Sequence, residues 1–223
     1  MSLEIKLVRH GESHANIGML SSLDVGDHAI ELSERGWEQA RSAGQSIGAE
    51  FLASALVYAS PYRRTRQTLA AILDGAAMPE ETRRSIRLFE DPRLREVEHG
   101  YESVEQQEEL RRTHGWFYYR FKGGESPADC YDRTSSFLES LMRQVERKSA
   151  GRVLIVTHGL TIRCFVMRFL HLSVEDFDRM ANPANCAIIT IGRREALAGT
   201  VFASGSWGVT GLRLRPDTED PGP

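Results

Sequence analysis

Cysteine is scarce in this chain, and so are the other features that would place it outside the ordinary soluble globular class. Three cysteines in 223 residues, Cys130, Cys164 and Cys186, are too few and too scattered for a disulfide framework or for a zinc site built on paired thiolates. Reduced thiols in a cytoplasmic protein is the expectation that follows. No apolar run approaches the roughly 20 residues that a membrane-spanning helix needs. Met1-Ser2-Leu3-Glu4 has neither the charged opening nor the apolar length of a secretory signal. Basic residues are not in excess either: 28 Lys and Arg against 31 Asp and Glu leave a net charge of -3. Without a global positive field the chain is not expected to bind nucleic acid, and an anionic ligand must be captured by a local cluster. No fixed-period repeat or low-complexity tract interrupts the sequence.

What is present is the usual material of a packed domain: 41% hydrophobic and 26% charged residues, in a length that one core can serve. Three short apolar runs, Ile5 to Val8, Leu56 to Ala59 and Val153 to Val156, read as buried strands. Each delivers polar residues at its carboxyl end and leads into helix-like sequence: Arg9-His10-Gly11, Ser60-Pro61 and His158-Gly159. That alternation predicts an α/β fold, a single domain over residues 1–214 with a mixed, mainly parallel sheet flanked by helices.

Helices are expected after Ser33 (Trp37, Ala40, Gly44, Ile47, Phe51), from Pro61 with Ser60 as cap, and from Ser126-Pro127-Ala128-Asp129, which combines a capping box with proline at the first helical position. Further helices should run from Ile162 to Phe169 and start at Ser173. Ala187 to Ile191 and Thr200 to Ala203 read as closing strands, residues 97–125 as a less regular insertion, and residues 215–223 as a disordered tail.

In open α/β sheets ligands bind beyond the carboxyl ends of the strands, which here carry Arg9, His10, Arg63, Arg64 and His158. Two imidazoles and at least two guanidiniums suit a tetrahedral anion: the guanidinium forks match phosphate oxygens, and neutral imidazole is a competent nucleophile near pH 7.

These segments carry a family resemblance. Leu7-Val8-Arg9-His10-Gly11-Glu12-Ser13 resembles the signature of the histidine phosphatase superfamily, also called the phosphoglycerate mutase-like family. Ser60 to Thr68 resembles its second arginine motif, Leu94-Arg95-Glu96 the segment with the acid/base glutamate, and Val156-Thr157-His158-Gly159 the second histidine motif. Gly124-Glu125-Ser126 with Asp129 and Arg133 matches a pattern of the phosphatase branches. Any one motif is weak, and four in order over residues 5–165 are strong.

The resemblance implies a metal-independent phosphatase acting on a small phosphomonoester through a phosphohistidine intermediate. His10 would be the nucleophile and Glu96 the proton donor. Arg9, Arg64 and His158 would hold the equatorial oxygens, with His158 as a cation or donor. Asn16, Ser13 and Gly159 are the further expected substrate contacts. No cofactor and no metal is implied, and the partner is the phosphorylated substrate alone.

Competing readings remain at this level. Glu98, Glu102 and Glu105 rival Glu96. His10 and His14 are four apart, but glutamate stands at the wrong offset for a zinc-binding His-Glu-x-x-His helix. The aromatic-basic run Trp116 to Lys122 is either a wall of the pocket or packing. A phosphoglycerate mutase and a weakly catalytic phospho-ligand binder are the alternative functions. The mutase would require extra cations, for which Arg111 and Arg112 are the one pair between Val97 and Gly115.

Overall fold

The computed structural model describes residues 2–102 and 107–216. Seven strands, β1 (Glu4–Arg9), β2 (Ala55–Ala59), β3 (Leu88–Glu90), β4 (Arg152–Thr157), β5 (Ile188–Arg193), β6 (Phe202–Ser204) and β7 (Trp207–Thr210), form one sheet in the order β3-β2-β4-β1-β5-β7-β6. The first four in that order are mutually parallel, and β5, β7 and β6 join antiparallel to one another. This is the mixed, mostly parallel sheet of a single α/β domain.

Nine helices accompany it among the described residues: α1 (Ser22–Val25), α2 (Glu34–Ile47), α3 (Ala49–Ser54), α4 (Arg63–Gly75), α5 (Glu80–Ser85), α6 (Glu108–His114), α7 (Pro127–Lys148), α8 (Gly159–Leu170) and α9 (Val174–Arg179). The central strands are apolar on both sides because both sides are covered. Leu7 and Ile155 pack with Phe137 of α7 and Phe165 of α8. Val8 and Val156 pack with Leu69 and Ile72 of α4 on the opposite face. Each fully buried phenylalanine contributes roughly 1.5–3 kcal/mol through loss of apolar surface from water.

Local chemistry explains most boundaries. The Ser33 hydroxyl accepts from the Gly36 amide and starts α2, and Gly48, at φ 80°, separates it from α3, so the stripe from Trp37 to Phe51 is split between two helices. Ser126 with Asp129, and Ser173 with Asp176, close capping boxes at the starts of α7 and α9.

Other expectations shift. Helix α4 begins at Arg63 with Tyr62 in the cap position, and Ser60 does not cap it. The Ser60 hydroxyl is engaged elsewhere, as shown below, and Ser60-Pro61 is the strand-to-helix turn. Strands β3 and β7 were not anticipated, since Leu88–Glu90 has three residues and Trp207–Thr210 no alternating pattern long enough to read. Arg215 is tied down, its amide donating to the Arg179 carbonyl and its Nε to that of Met180. The rest of the expected tail, 217–223, lies outside the described residues.

No helix among the described residues is long and apolar enough to cross a membrane.

Candidate active site

Strands β1 and β4 are in parallel register with Arg9 opposite Thr157, so the residues that follow, His10 and His158, emerge side by side. Their ring centroids are 5.2 Å apart at 62°. His10 is 4% exposed and His158 fully buried.

The His10 loop is pinned from three directions. The His10 amide donates to the Thr157 carbonyl at 2.9 Å, the Gly11 amide to Thr68 Oγ1 of α4 at 2.9 Å, and the Glu12 amide to Gln39 Oε1 of α2 at 2.9 Å. Gly11 lies so close to the Gly36 backbone that a Cβ there would collide with it, which is why the loop after His10 must begin with glycine.

The His10 ring is oriented by its own backbone. Its Nδ1 lies 2.8 Å from the Gly11 carbonyl oxygen, which can only accept, so Nδ1 carries the proton and Nε2 the lone pair. Burial, reinforced by the Arg64 and Arg9 guanidiniums, holds His10 well below the ordinary imidazole value of 6.5. The ring is therefore neutral at pH 7, with an available nitrogen. His158 is depressed well below 6.5 as well, by burial first and then by Arg64, His10, Arg133 and Arg9. The cationic form of His158 is therefore disfavoured. Its Nε2 is 2.9 Å from the Ser60 hydroxyl, while Nδ1 is buried without a protein partner.

Arg9, at the end of β1, donates from Nη1 to the Pro183 carbonyl at 2.6 Å, and its Nε is buried without a partner. Arg64, on the first turn of α4, is held end-on by Asp27: Nη1 reaches the Asp27 carbonyl at 2.6 Å and Oδ1 at 2.8 Å, and Nη2 reaches Oδ2 at 3.0 Å. This bidentate pair leaves the Nε edge of the fork for another anion. Arg63 and Arg66 are exposed and paired with Glu31 and Glu90.

Glu96 sits where the peptide after Leu94 meets the start of α8. Its carboxylate accepts from the Val97 amide at 3.1 Å, Thr161 Oγ1 at 3.4 Å and the Leu160 amide at 3.4 Å. Among its sequence rivals, Glu98 lines the same cavity, Glu102 pairs with Lys122 at 2.6 Å, and Glu105 lies outside the described residues.

Asn16 lines the cavity, and its Oδ1 accepts from the Ser13 amide, the Ser13 hydroxyl and Asn185 Nδ2, which leaves its Nδ2 as a donor. The Ser13 hydroxyl is thus directed to Asn16. Gly159 is outside the lining; it allows Asn182, which does line the cavity, to press against the start of α8 where a Cβ would collide.

Arg9, His10, Asn16, Arg64 and Glu96 thus converge on one cavity of about 420 Å³ at the carboxyl end of the parallel strands, a size suited to a small organic ligand. Asp27, Tyr62, Asn182 and Asn185 were not read from sequence. Their only signal is position, since none is of a type or spacing that marks it out before the chain folds.

A sequence model of the histidine phosphatase superfamily (branch 1) matches residues 5–199. The chain belongs to this superfamily. Among curated relatives it is 39% identical over 203 residues to the phosphoglycerate mutase-like protein AT74H of Arabidopsis thaliana, covering 82% of this chain and 71% of that one. The related protein AT74 of the same plant is 38% identical over 202 residues, and the match spans 82% of this chain and 63% of that one. The broad-range acid phosphatase DET1 of Saccharomyces cerevisiae is 25% identical, with 86% of each chain covered. Among solved structures, a mycobacterial glucosyl-3-phosphoglycerate phosphatase superposes with a TM-score of 0.69 at 22% identity, covering 87% of this chain and 92% of that one, which bears on the fold alone.

Proposed function

We propose that this member of the superfamily is a phosphomonoesterase working through a phosphohistidine on His10, with no metal ion or organic cofactor. The observation that carries the reading is a neutral imidazole, its Nδ1 proton fixed by the Gly11 carbonyl, turned with Nε2 free in a cavity that also presents Arg9 and Arg64. The acid phosphatase among the relatives supports the same class.

In the first step the Nε2 lone pair attacks phosphorus, the bond from phosphorus to the ester oxygen breaks, and its electron pair leaves on that oxygen, which takes the proton of Glu96 in its acid form. Phosphoryl transfer asks the protein mainly for position and charge, so the equatorial oxygens fall to the guanidiniums of Arg9 and Arg64, the Asn16 amide and His158. Nε2 of His158 is taken by the Ser60 hydroxyl at 2.9 Å, so Nδ1, the buried atom without a protein partner, is the one through which this ring would serve the phosphoryl group. In the second step water attacks phosphorus, Glu96 accepts its proton, and the bond to Nε2 breaks with the electron pair returning to His10.

The mutase alternative needs cations for a second anionic group. Arg111 is 3% exposed beneath Trp116 and Phe121, and Arg112 pairs with Glu108; neither lines the cavity. The test is release of inorganic phosphate from several monoesters, with and without a chelator, against interconversion of 3- and 2-phosphoglycerate with the 2,3-bisphosphate primer. Phosphate release that ignores the chelator and exceeds interconversion is expected, and primer-dependent interconversion as the faster reaction would overturn the reading.

A further inference from the structure

We propose that the leaving-group side of the cavity selects monoesters whose alcohol carries no negative charge, and that Glu98 is the residue that rejects a second anionic group. The proposal rests on the phosphomonoesterase reading and narrows its substrate class.

Among the described residues Arg9 and Arg64 are the only lysine or arginine side chains lining the cavity, and the phosphoryl group requires both. Arg64 is already paired with Asp27 at 2.8 Å. The residues outside the described ones, 1, 103–106 and 217–223, include no lysine or arginine. The neighbouring cations are each turned onto a carboxylate. Lys122 Nζ lies 2.6 Å from Glu102, and Arg95 bonds Glu125 and lies 3.8 Å from Glu98.

Against these stand three carboxylates on the lining: Asp27, Glu96 and Glu98. Glu98 is the one with neither a role in proton transfer nor a tight guanidinium partner, and its side chain is 54% exposed. An alcohol bearing a carboxylate or a second phosphate would face this group, whose cationic neighbour Arg95 is 3.8 Å away and already bonded to Glu125. Repulsion between like charges held a few ångströms apart is enough to separate substrates by factors of ten or more.

What the wall offers instead is hydrogen-bonding and aromatic surface from Tyr62, His28, His99 and Tyr101. Tyr101 is 79% exposed, with its ring laid over Gly123 so closely that a Cβ at Gly123 would collide with it. A hydroxyl-rich or aryl alcohol fits such a surface.

The experiment uses glycerol 3-phosphate and 3-phosphoglycerate, two probes of nearly equal size that differ in a hydroxymethyl against a carboxylate. The native enzyme should favour glycerol 3-phosphate by at least about tenfold in kcat/KM. Glu98→Lys should reduce that ratio by about tenfold, chiefly through the KM for 3-phosphoglycerate, and Glu98→Gln should have an intermediate effect. The ratio is internal to each variant, so partial misfolding does not move it. Equal use of the two probes, a preference for 3-phosphoglycerate, or a ratio indifferent to residue 98 overturns the proposal. If neither probe nor 4-nitrophenyl phosphate yields phosphate, the phosphatase reading itself fails and this one falls with it.

Discussion

The two sides of the cavity are built differently. On the phosphoryl side His10, Arg64 and His158 sit at the ends of β1, at the start of α4 and beyond β4, buried and fixed by backbone hydrogen bonds to the sheet and its helices. On the leaving-group side His28, in a single 3-10 turn, and the stretch from Glu98 to Tyr101, in a loop with Gly123 beneath, have side chains that face solvent to a greater degree. The difference shows which part of the reaction needs precision. A phosphoryl group has one geometry, and a displacement of about an ångström in its supports costs orders of magnitude in rate. Alcohols have many geometries, and loops on a rigid scaffold can change to meet them.

The comparison can be broken most directly at the nucleophile. His10→Ala should lower kcat by about 10⁴- to 10⁶-fold while leaving the fold intact, as loss of a nucleophile does elsewhere. Rapid alkaline quenching of the native enzyme with a phosphate donor should trap acid-labile phosphate, absent from the variant. An alanine variant of near-native activity ends the mechanism.

The anion clamp is the second place to break it. Arg64→Ala should cost ~10²–10³ in kcat, the range for one preorganised donor to a transition state. Asp27→Ala should cost less, about tenfold, because Nε of Arg64 remains and only the orientation of the fork is loosened. The role assigned to Asp27 is orienting, and it is tested by vanadate: Asp27→Asn, which keeps one acceptor, should bind it more tightly than Asp27→Ala. Identical constants for the two variants would show that the pairing does not orient Arg64.

Proton transfer gives a sharper probe of where the two sides meet. Glu96→Gln should slow alkyl monoesters by ~10²–10⁴, whereas 4-nitrophenyl phosphate, whose phenolate departs unaided, should slow by less than about tenfold. Equal losses on both would move the proton donor to another carboxylate, with Glu98 first in line.

The pH dependence is smaller and separates the buried side from the exposed one. Both imidazoles have folded values below the unfolded 6.5, so between those values the unfolded chain binds more protons and stability rises with pH. Their contribution is complete above about pH 6.5 and declines as pH falls below it. Denaturant midpoints between pH 5 and 7.5 should show the decline, and His10→Gln should flatten it. The acid limb of kcat/KM should likewise lie below the ordinary imidazole value. A profile unchanged by the substitution would mean that His10 is not held neutral by burial.

The smallest effect is expected at the rim. Tyr101→Ala should alter KM for bulky alcohols by no more than several-fold and leave kcat for 4-nitrophenyl phosphate nearly as it was. A loss as large as that of Arg64→Ala would place Tyr101 in the catalytic machinery and erase the distinction between the two sides.

Much of this molecule is legible one residue at a time. The strand Val153 to Val156 is apolar without alternation because both faces of the sheet are covered, and a short unbroken apolar run announces that by itself. Capping boxes at Ser126 and Ser173 are local chemistry over four residues, and the helices start where those side chains say. His10, Arg64, Glu96 and His158 stand in motifs whose spacing survives in any fold that holds them.

Other properties depend on partners far away in the chain. Ser60 reads as a helix cap, yet its hydroxyl goes to His158, 98 residues on, because β2 and β4 are neighbours in the sheet. Trp116 to Lys122 reads equally as a pocket wall or as packing. Tertiary structure assigns Phe117 and Phe121 to the core and sets Trp116 against a buried Arg111.

The sequence by itself determined the α/β class, which depends on local periodicity, and it singled out Arg9, His10, Arg64, Glu96 and His158 as candidates, in order, through the resemblance of their motifs. Only the tertiary structure decided which nitrogen of His10 is free, that Asp27 engages Arg64, and that Arg9 and Arg64 are the guanidiniums that line the cavity. A tautomer, an ion pair and a local charge balance are set by the groups that face one another across the fold, and that depends on how strands and helices distant in sequence come to lie side by side.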